Sequence, residues 1–158
     1  MATTIAEVEE VQTLTIRKEI SIGAPIEITF EAMLEQIGPE NQMLDGTPFP
    51  LKLEAWPGGR WFRDLGNNTG HLWGHVQVIK PPNLLEIWGP LMMSYPAVNH
   101  VQYRLKAENG GTLMTLLHRG MGLILPEHRD GMPKGWGHWT ERIRESAERK
   151  AQSKSPRR

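Results

Sequence analysis

Apolar and polar residues take turns through Leu14-Thr15-Ile16-Arg17-Lys18-Glu19-Ile20-Ser21-Ile22. Ile16, Ile20 and Ile22 share one face, and Arg17, Glu19 and Ser21 the other, the two-residue period of a half-covered strand. Gly23-Ala24-Pro25 ends the run, and Pro25 suits the first turn of a helix because its φ is already fixed. Ile26, Phe30, Met33 and Leu34 then recur at helical spacing up to about Gln36, where Gly38-Pro39 stops the pattern. A short second helix is expected near Glu40 to Leu44. From Phe49 to Gly120 the pattern returns to strands, with segments expected at Pro50–Trp56, Gly59–Arg63, Gly70–Ile79, Leu84–Trp88, Asn99–Ala107 and Thr112–Arg119. The breaks carry turn chemistry: Pro57-Gly58-Gly59, Gly66-Asn67-Asn68, Pro81-Pro82-Asn83, Gly89-Pro90 and Asn109-Gly110-Gly111. Turns this short imply antiparallel hairpins rather than βαβ crossovers.

Met121 to Lys134 reads as a loop, after which Gly135-Trp136-Gly137-His138-Trp139 leads into a helix reaching about Lys150. Trp136, Trp139, Ile143 and Ala147 form one stripe, and Glu141, Arg142, Arg144, Glu145, Glu148 and Arg149 cover the remainder, as on a helix lying against a sheet. The expected architecture is α+β, a curved antiparallel sheet wrapped around a long C-terminal helix. The expected organisation is a flexible segment over residues 1–11, one domain over 12–150 and a flexible basic tail over 151–158.

Composition narrows the function classes. The 158 residues suit a single domain, and 18 basic against 18 acidic residues leave no net charge. A nucleic-acid partner is not expected, since nothing balances phosphate beyond the tail Lys154-Ser155-Pro156-Arg157-Arg158. The absence of cysteine removes disulfides, thiolate zinc sites and cysteine nucleophiles. The first ten residues carry Glu7, Glu9 and Glu10 without a basic start or an apolar run, unlike a secretory signal. No stretch is apolar enough to insert in a membrane, so a cytoplasmic location is the default expectation.

Ordered motifs carry a resemblance. Ala24-Pro25 followed by Ile26 to Ala32 matches an "AP…V(F/W)xA" helix start, and Trp56-Pro57-Gly58-Gly59-Arg60-Trp61 a glycine-pair hairpin. Gly74 to Leu84, with Pro81-Pro82 inside it, matches "GxVxEIxPPxRL"; Gly110-Gly111-Thr112 through His118 and Gly120 matches "GGTxLxLxHxG"; Gly135-Trp136 matches a "GW" that begins a last helix. In this order, from about Leu14 to Arg149, they resemble the activator-of-heat-shock-protein-ATPase-homologue branch of the START-like (SRPBCC, birch-pollen-allergen-like) superfamily. The acid expected before the double proline is missing from Gln77-Val78-Ile79-Lys80. The resemblance implies a helix-grip fold, a cavity between sheet and last helix, and a small-molecule or lipid ligand. It does not imply chaperone activation.

The residues that would line such a cavity are Trp56, Trp61, Trp88, Met92, Tyr103, Met114, Leu116, His118, Trp136 and Trp139. Six tryptophans are many for this length, and each indole joins a large apolar area to one N–H donor. Trp73, between His71 and His75, is expected to point outward. Met92, Met93, Met114, Met121 and Met132 form an adaptable set, and the apolar loop around Met92-Met93 could lid the cavity mouth or form a homodimer contact. His71 and His75 are expected on one strand face but ~13 Å apart, too far for one metal ion. No metal and no cofactor are expected, because no ligand spacing, phosphate loop or dinucleotide fingerprint occurs. His118, Tyr103 or His100 could act as acid–base groups if they face inward. The expected function is binding of a hydrophobic or amphipathic small molecule without turnover. The alternatives are a polyketide cyclase or aromatase, and an interaction protein for a chaperone or regulator.

Overall fold

A computed structural model describes residues 1–154 of the chain. The alternating run after residue 11 forms β1 (Gln12–Ile22), with Leu14, Ile16, Ile20 and Ile22 turned to the inner face and Lys18 half-buried among them. Helix α1 (Ile26–Gln36) follows, and two threonines tie its start to the sheet. The Thr112 hydroxyl donates to the Ala24 carbonyl at 2.8 Å, and the Thr29 hydroxyl to the Pro25 carbonyl at 3.0 Å. At the far end of α1 the Trp61 indole donates to the Ile37 carbonyl at 2.8 Å. The chain continues through β2 (Lys52–Leu53), β3 (Arg60–Gly66), β4 (Thr69–Lys80), β5 (Leu84–Gly89), β6 (Ala97–Glu108) and β7 (Gly111–Gly122), and closes with α2 (Pro126–Ser153). All strands pair antiparallel in one seven-stranded sheet of order β1-β7-β6-β5-β4-β3-β2. This is the helix-grip arrangement.

Register sorts the inner face into cross-strand rows. Ile16, His118, Val101, Ile87 and Val76 make one row; Lys18, Leu116, Tyr103, Leu85 and Ile79 make the next. Against these rows α2 lays Met132, Trp136, Thr140, Ile143 and Ala147, all buried. Its second half is held to α1 by Lys150 with Glu35 at 3.0 Å and Glu31 at 3.7 Å, by Lys154 with Glu31 at 3.7 Å, and by Arg142 donating to Gln36 at 3.2 Å.

Several expectations need correction. Residues 40–44 do not form a helix; Asn41, Phe49 and Leu51 instead fold back on the end of α1 through backbone hydrogen bonds, with a bridge between Gln42 and Pro48. The strand expected over Pro50–Trp56 shrinks to Lys52–Leu53, because Trp56 belongs to the turn in which Gly59 donates to its carbonyl at 2.8 Å. The expected loop over Met121–Lys134 is only Leu123–Leu125. Pro126 opens α2, and Gly135-Trp136 lies well inside the helix rather than at its start. Helix α2 also passes Lys150 to end at Ser153, supported by the Lys150 and Lys154 ion pairs, so residues 151–153 do not belong to a tail; Ser155 to Arg158 lie outside the described residues. Residues 1–11 form neither helix nor strand and are exposed. Among the described residues no helix is long and apolar enough to cross a membrane.

The docking of α2 predicts a large penalty for Ile143→Asp. Ile143 is fully buried, and an unpaired carboxylate there should lower unfolding free energy by about 3–5 kcal/mol. Urea melts of the two proteins measure the difference, and equal midpoints would show that α2 is not packed on the sheet.

Candidate functional site

The inner face is crossed by a file of rings. The His118 imidazole meets the Trp136 indole edge-on at 5.6 Å, and Tyr103 approaches the same indole at 6.5 Å. Trp136 meets Trp139 at 5.4 Å, and Trp139 stacks on Trp73 at 6.1 Å with planes 14° apart. Trp61 closes a triangle with these two at 5.3 and 6.1 Å, and Phe49 continues the file from Trp73 at 5.9 Å. Each such contact adds roughly 0.5–1.5 kcal/mol beyond area burial, so the file is a substantial part of the core as well as a wall.

At its deep end the file is pinned by a directional hydrogen-bond chain. An indole N–H can only donate. The Trp136 indole donates to Nδ1 of His118 at 3.0 Å, which makes Nδ1 the acceptor and leaves the proton on Nε2. That Nε2–H donates to Oδ1 of Asn99 at 2.7 Å. The Asn99 amide donates in turn to the Gly89 carbonyl at 3.1 Å, with a longer approach to the Pro90 carbonyl at 3.4 Å. Gly120 makes room for this chain, since a Cβ there would stand 2.4 Å from Oδ1 of Asn99. His118 is sealed from solvent, and desolvation of the charged ring holds its pKa down at about 4. Both ring nitrogens are committed, so the imidazole is a fixed neutral strut.

At the shallow end the file opens outward. A recess of about 90 Å³ is lined by Met92, Met132, Gly135, Trp136 and Trp139. Met92 and Trp139 also line a wider groove of about 420 Å³ together with Phe49, Trp73, Met43 and Leu44, to which Asn41, Gln42 and Asp45 add polar groups. The loop carrying Met92 is tied to the start of α2. The Tyr95 hydroxyl lies 2.6 Å from Nδ1 of His128 and accepts the Leu125 N–H at 3.2 Å. A larger depression of about 660 Å³ lies along the β3–β4 hairpin, but its charges are already spent. Lys52 pairs with Asp64 at 2.6 Å, Arg60 with Glu54 at 2.8 Å, and Arg63 donates to the Pro50 carbonyl at 2.8 Å.

The expected lining residues therefore separate into groups. Trp61, Tyr103, Met114, Leu116 and His118 are fully buried and pack into the space between sheet and helix, and the recess beside them is small, about 90 Å³. Met92, Trp136 and Trp139 line the recess. Trp56 and Trp88 fall outside: Trp56 sits on a hairpin turn and is 56% exposed, and Trp88 is 47% exposed on the outer face, against His75 at 5.9 Å. Strand parity places Trp88 there, since its neighbours Leu85 and Ile87 point inward.

Trp73 turns inward, contrary to expectation, because it is the extra residue of a β-bulge where Trp61 pairs with Gly74 and Phe62 with Leu72. The same bulge breaks the shared face expected for His71 and His75. His71 approaches the Trp73 ring at 6.4 Å on the inner side, whereas His75 faces outward with Trp88. His100 also points outward, 3.8 Å from Glu86, and cannot serve an interior reaction. Asn99, Trp73 and Phe49 were missed by sequence reasoning. The signal for Asn99 was its inward parity with Val101 and Tyr103; for the other two there was none in the period.

No protein-family model matches the sequence, and no curated protein matches it. Solved structures do. An uncharacterized protein from Rhizobium leguminosarum superposes with a TM-score of 0.69 at 17% identity, covering 90% of this chain and 99% of that one. CalU16 from Micromonospora echinospora gives 0.52 at 20% identity, covering 85% and 73%. DynU16, a protein of the dynemicin biosynthetic locus, gives 0.59 at 16% identity; 83% of this chain is covered but only 46% of DynU16. These likenesses show the helix-grip fold.

The buried strut predicts a pH signature. His118 is near 4 when folded and has an ordinary value near 6.5 when unfolded, so below pH 6.5 the unfolded chain binds the proton first. Stability from this residue is complete above pH 6.5, falls through the window down to pH 4, and amounts to about 3 kcal/mol. His118→Leu should be less stable at neutral pH and should lose this part of the slope between pH 6.5 and 4. Parallel slopes for the two proteins would remove His118 as its source.

Proposed function

We propose that the protein binds an apolar or amphipathic small molecule in the groove beside Trp73 and Trp139, without turning it over. The observation that carries this reading is the stacked indole pair at the wall of an otherwise apolar groove that continues into the recess under Trp136. The stacked pair gives the groove a stiff apolar lining that water solvates poorly, while Met92 and Met43, which also line it, can adapt to a ligand. Among the described residues no hydrogen bond to the protein engages the indole N–H of Trp73 or Trp139, and neither is a sealed orphan, so both are available to a ligand.

Magnitudes favour weak, permissive binding. Burying on the order of 300 Å² of apolar ligand surface contributes roughly 7–8 kcal/mol before association costs. That corresponds to about micromolar affinity at best. Turnover is disfavoured because His118 has both nitrogens committed in the unliganded protein and desolvation raises the Tyr103 pKa, so that hydroxyl holds its proton. The START-like resemblance, in its activator-of-heat-shock-protein-ATPase-homologue branch, supports a ligand at this end of the fold. The likeness to DynU16, from a biosynthetic locus, supports a small-molecule role over a protein-docking one.

N-phenyl-1-naphthylamine, an uncharged apolar fluorophore, tests the reading. Its emission should rise on binding with a dissociation constant in the micromolar range or weaker. Trp139→Ala should weaken binding at least several-fold, whereas Trp88→Ala, on the opposite face, should not. Equal effects of the two substitutions, or no binding to the wild type, would contradict the assignment.

A further inference from the structure

Among the described residues, two buried side-chain polar atoms find no partner: the Tyr103 hydroxyl and Nε2 of His138. Tyr103 projects from the inner face of β6, flanked across the strands by Leu85 and Leu116, and is sealed from solvent. Desolvation raises its pKa, so the hydroxyl keeps its proton and remains a donor. An unpaired buried hydroxyl destabilises a fold, and phenylalanine would fill nearly the same space without that cost. The hydroxyl lacks an acceptor only in the unliganded protein if a ligand brings one.

Trp136 stands between Tyr103 and the groove. Its ring meets Tyr103 edge-on at 6.5 Å, and it also lines the recess that opens beside Trp139. The part of α2 that carries it is poorly suited to be a helix. Gly131, Pro133, Gly135 and Gly137 fall within it, and Pro133 withholds the N–H that would bond the Arg129 carbonyl. Packing does not demand the glycines at 131 and 135, since a Cβ at either would meet nothing within 4 Å. The later turns of α2 are fastened to α1 by Arg142, Lys150 and Lys154. Helix α2 thus has a pinned end and a weak end, and Trp136 rides on the weak one.

Resting on the binding reading above, we propose that the Tyr103 hydroxyl donates a hydrogen bond to the carbonyl oxygen of an otherwise apolar aromatic ligand, which reaches it when Trp136 moves aside with the glycine- and proline-rich half of α2. The groove then selects flat apolar surface, and Tyr103 selects ligands that carry an acceptor at the inserted end. The Tyr103 hydroxyl has no partner to give up, so pairing it favours the complex, offset by the Trp136–His118 hydrogen bond that the opening breaks.

The test uses two probes on the full chain: 6-propionyl-2-dimethylaminonaphthalene, which has a ketone, and 2-dimethylaminonaphthalene, which does not. Wild type should bind both, with the ketone C=O stretch shifted to the lower frequency of a hydrogen-bonded carbonyl. Tyr103→Phe should melt at the same temperature or higher, bind the ketone about tenfold more weakly with its C=O stretch at the free frequency, and bind the parent amine unchanged. Gly131→Ala, which lies outside the recess and whose Cβ would meet nothing within 4 Å, should slow association of the ketone probe, because it stiffens the moving half of the helix. If wild type and Tyr103→Phe bind the ketone equally with the same C=O frequency, the hydroxyl is not the anchor, although the groove reading survives. If wild type binds neither probe, the groove reading fails and this inference fails with it.

Discussion

The indole N–H of Trp136 finds its acceptor on Nδ1 of His118, a directional bond that, together with the packing of Met132 and Trp136, seats the early half of α2 on the sheet. It works because each later partner is also committed: the imidazole proton goes to Asn99, and the Asn99 amide to the Gly89 carbonyl at the end of β5. A run of donors and acceptors thus joins the helix to β7, β6 and β5 in turn. Its polarity is set by the indole, which cannot accept. Replace any member with an apolar group and the neighbours are left buried and unpaired, the costly case for interior hydrogen bonds.

Everything at the groove follows from this anchor. With Trp136 held against His118, Trp139 one turn on is placed to stack on Trp73, and the pair forms the wall along which Phe49 and Met92 gather. The aromatic file occupies space that a thinner set of side chains would leave as a cavity. The fold therefore presents its apolar surface as a groove with a small recess, and binding is permissive where it is shallow and selective where it is deep. The ion pairs between α1 and the end of α2 hold the helix while its glycine-rich start remains weakly constrained.

Much of the fold was legible along the chain. The period-two runs of β1, β6 and β7 set their own inner faces, because each has one covered side and a one-residue slip would bury Arg104 or Arg119. The glycine, proline and asparagine breaks marked the hairpins for the same local reason. The start of α2 was not legible, since Gly131, Pro133 and Gly135 argue against a helix and only packing of Met132 and Trp136 on the sheet overrides them. The orientation of Trp73 was hidden as well. A bulge inverts parity without leaving a signature in the period, and one such residue moved Trp73 inward and separated His71 from His75. Trp88 failed for the opposite reason: residue type suggested a cavity wall, whereas strand alternation, readable from Leu85 and Ile87, placed it outside.

The account turns on which indoles meet a ligand, and the six tryptophans make that directly observable. Each contributes one indole N–H resonance to a ¹⁵N correlation spectrum, assignable by single substitution. Titration with an apolar naphthalene probe should move the resonances of Trp73 and Trp139, disturb the hydrogen-bonded resonance of Trp136, and leave Trp56 and Trp88 in place. Shifts confined to Trp56 and Trp88, or a spectrum unchanged at saturating probe, would contradict a binding site between the last helix and the sheet.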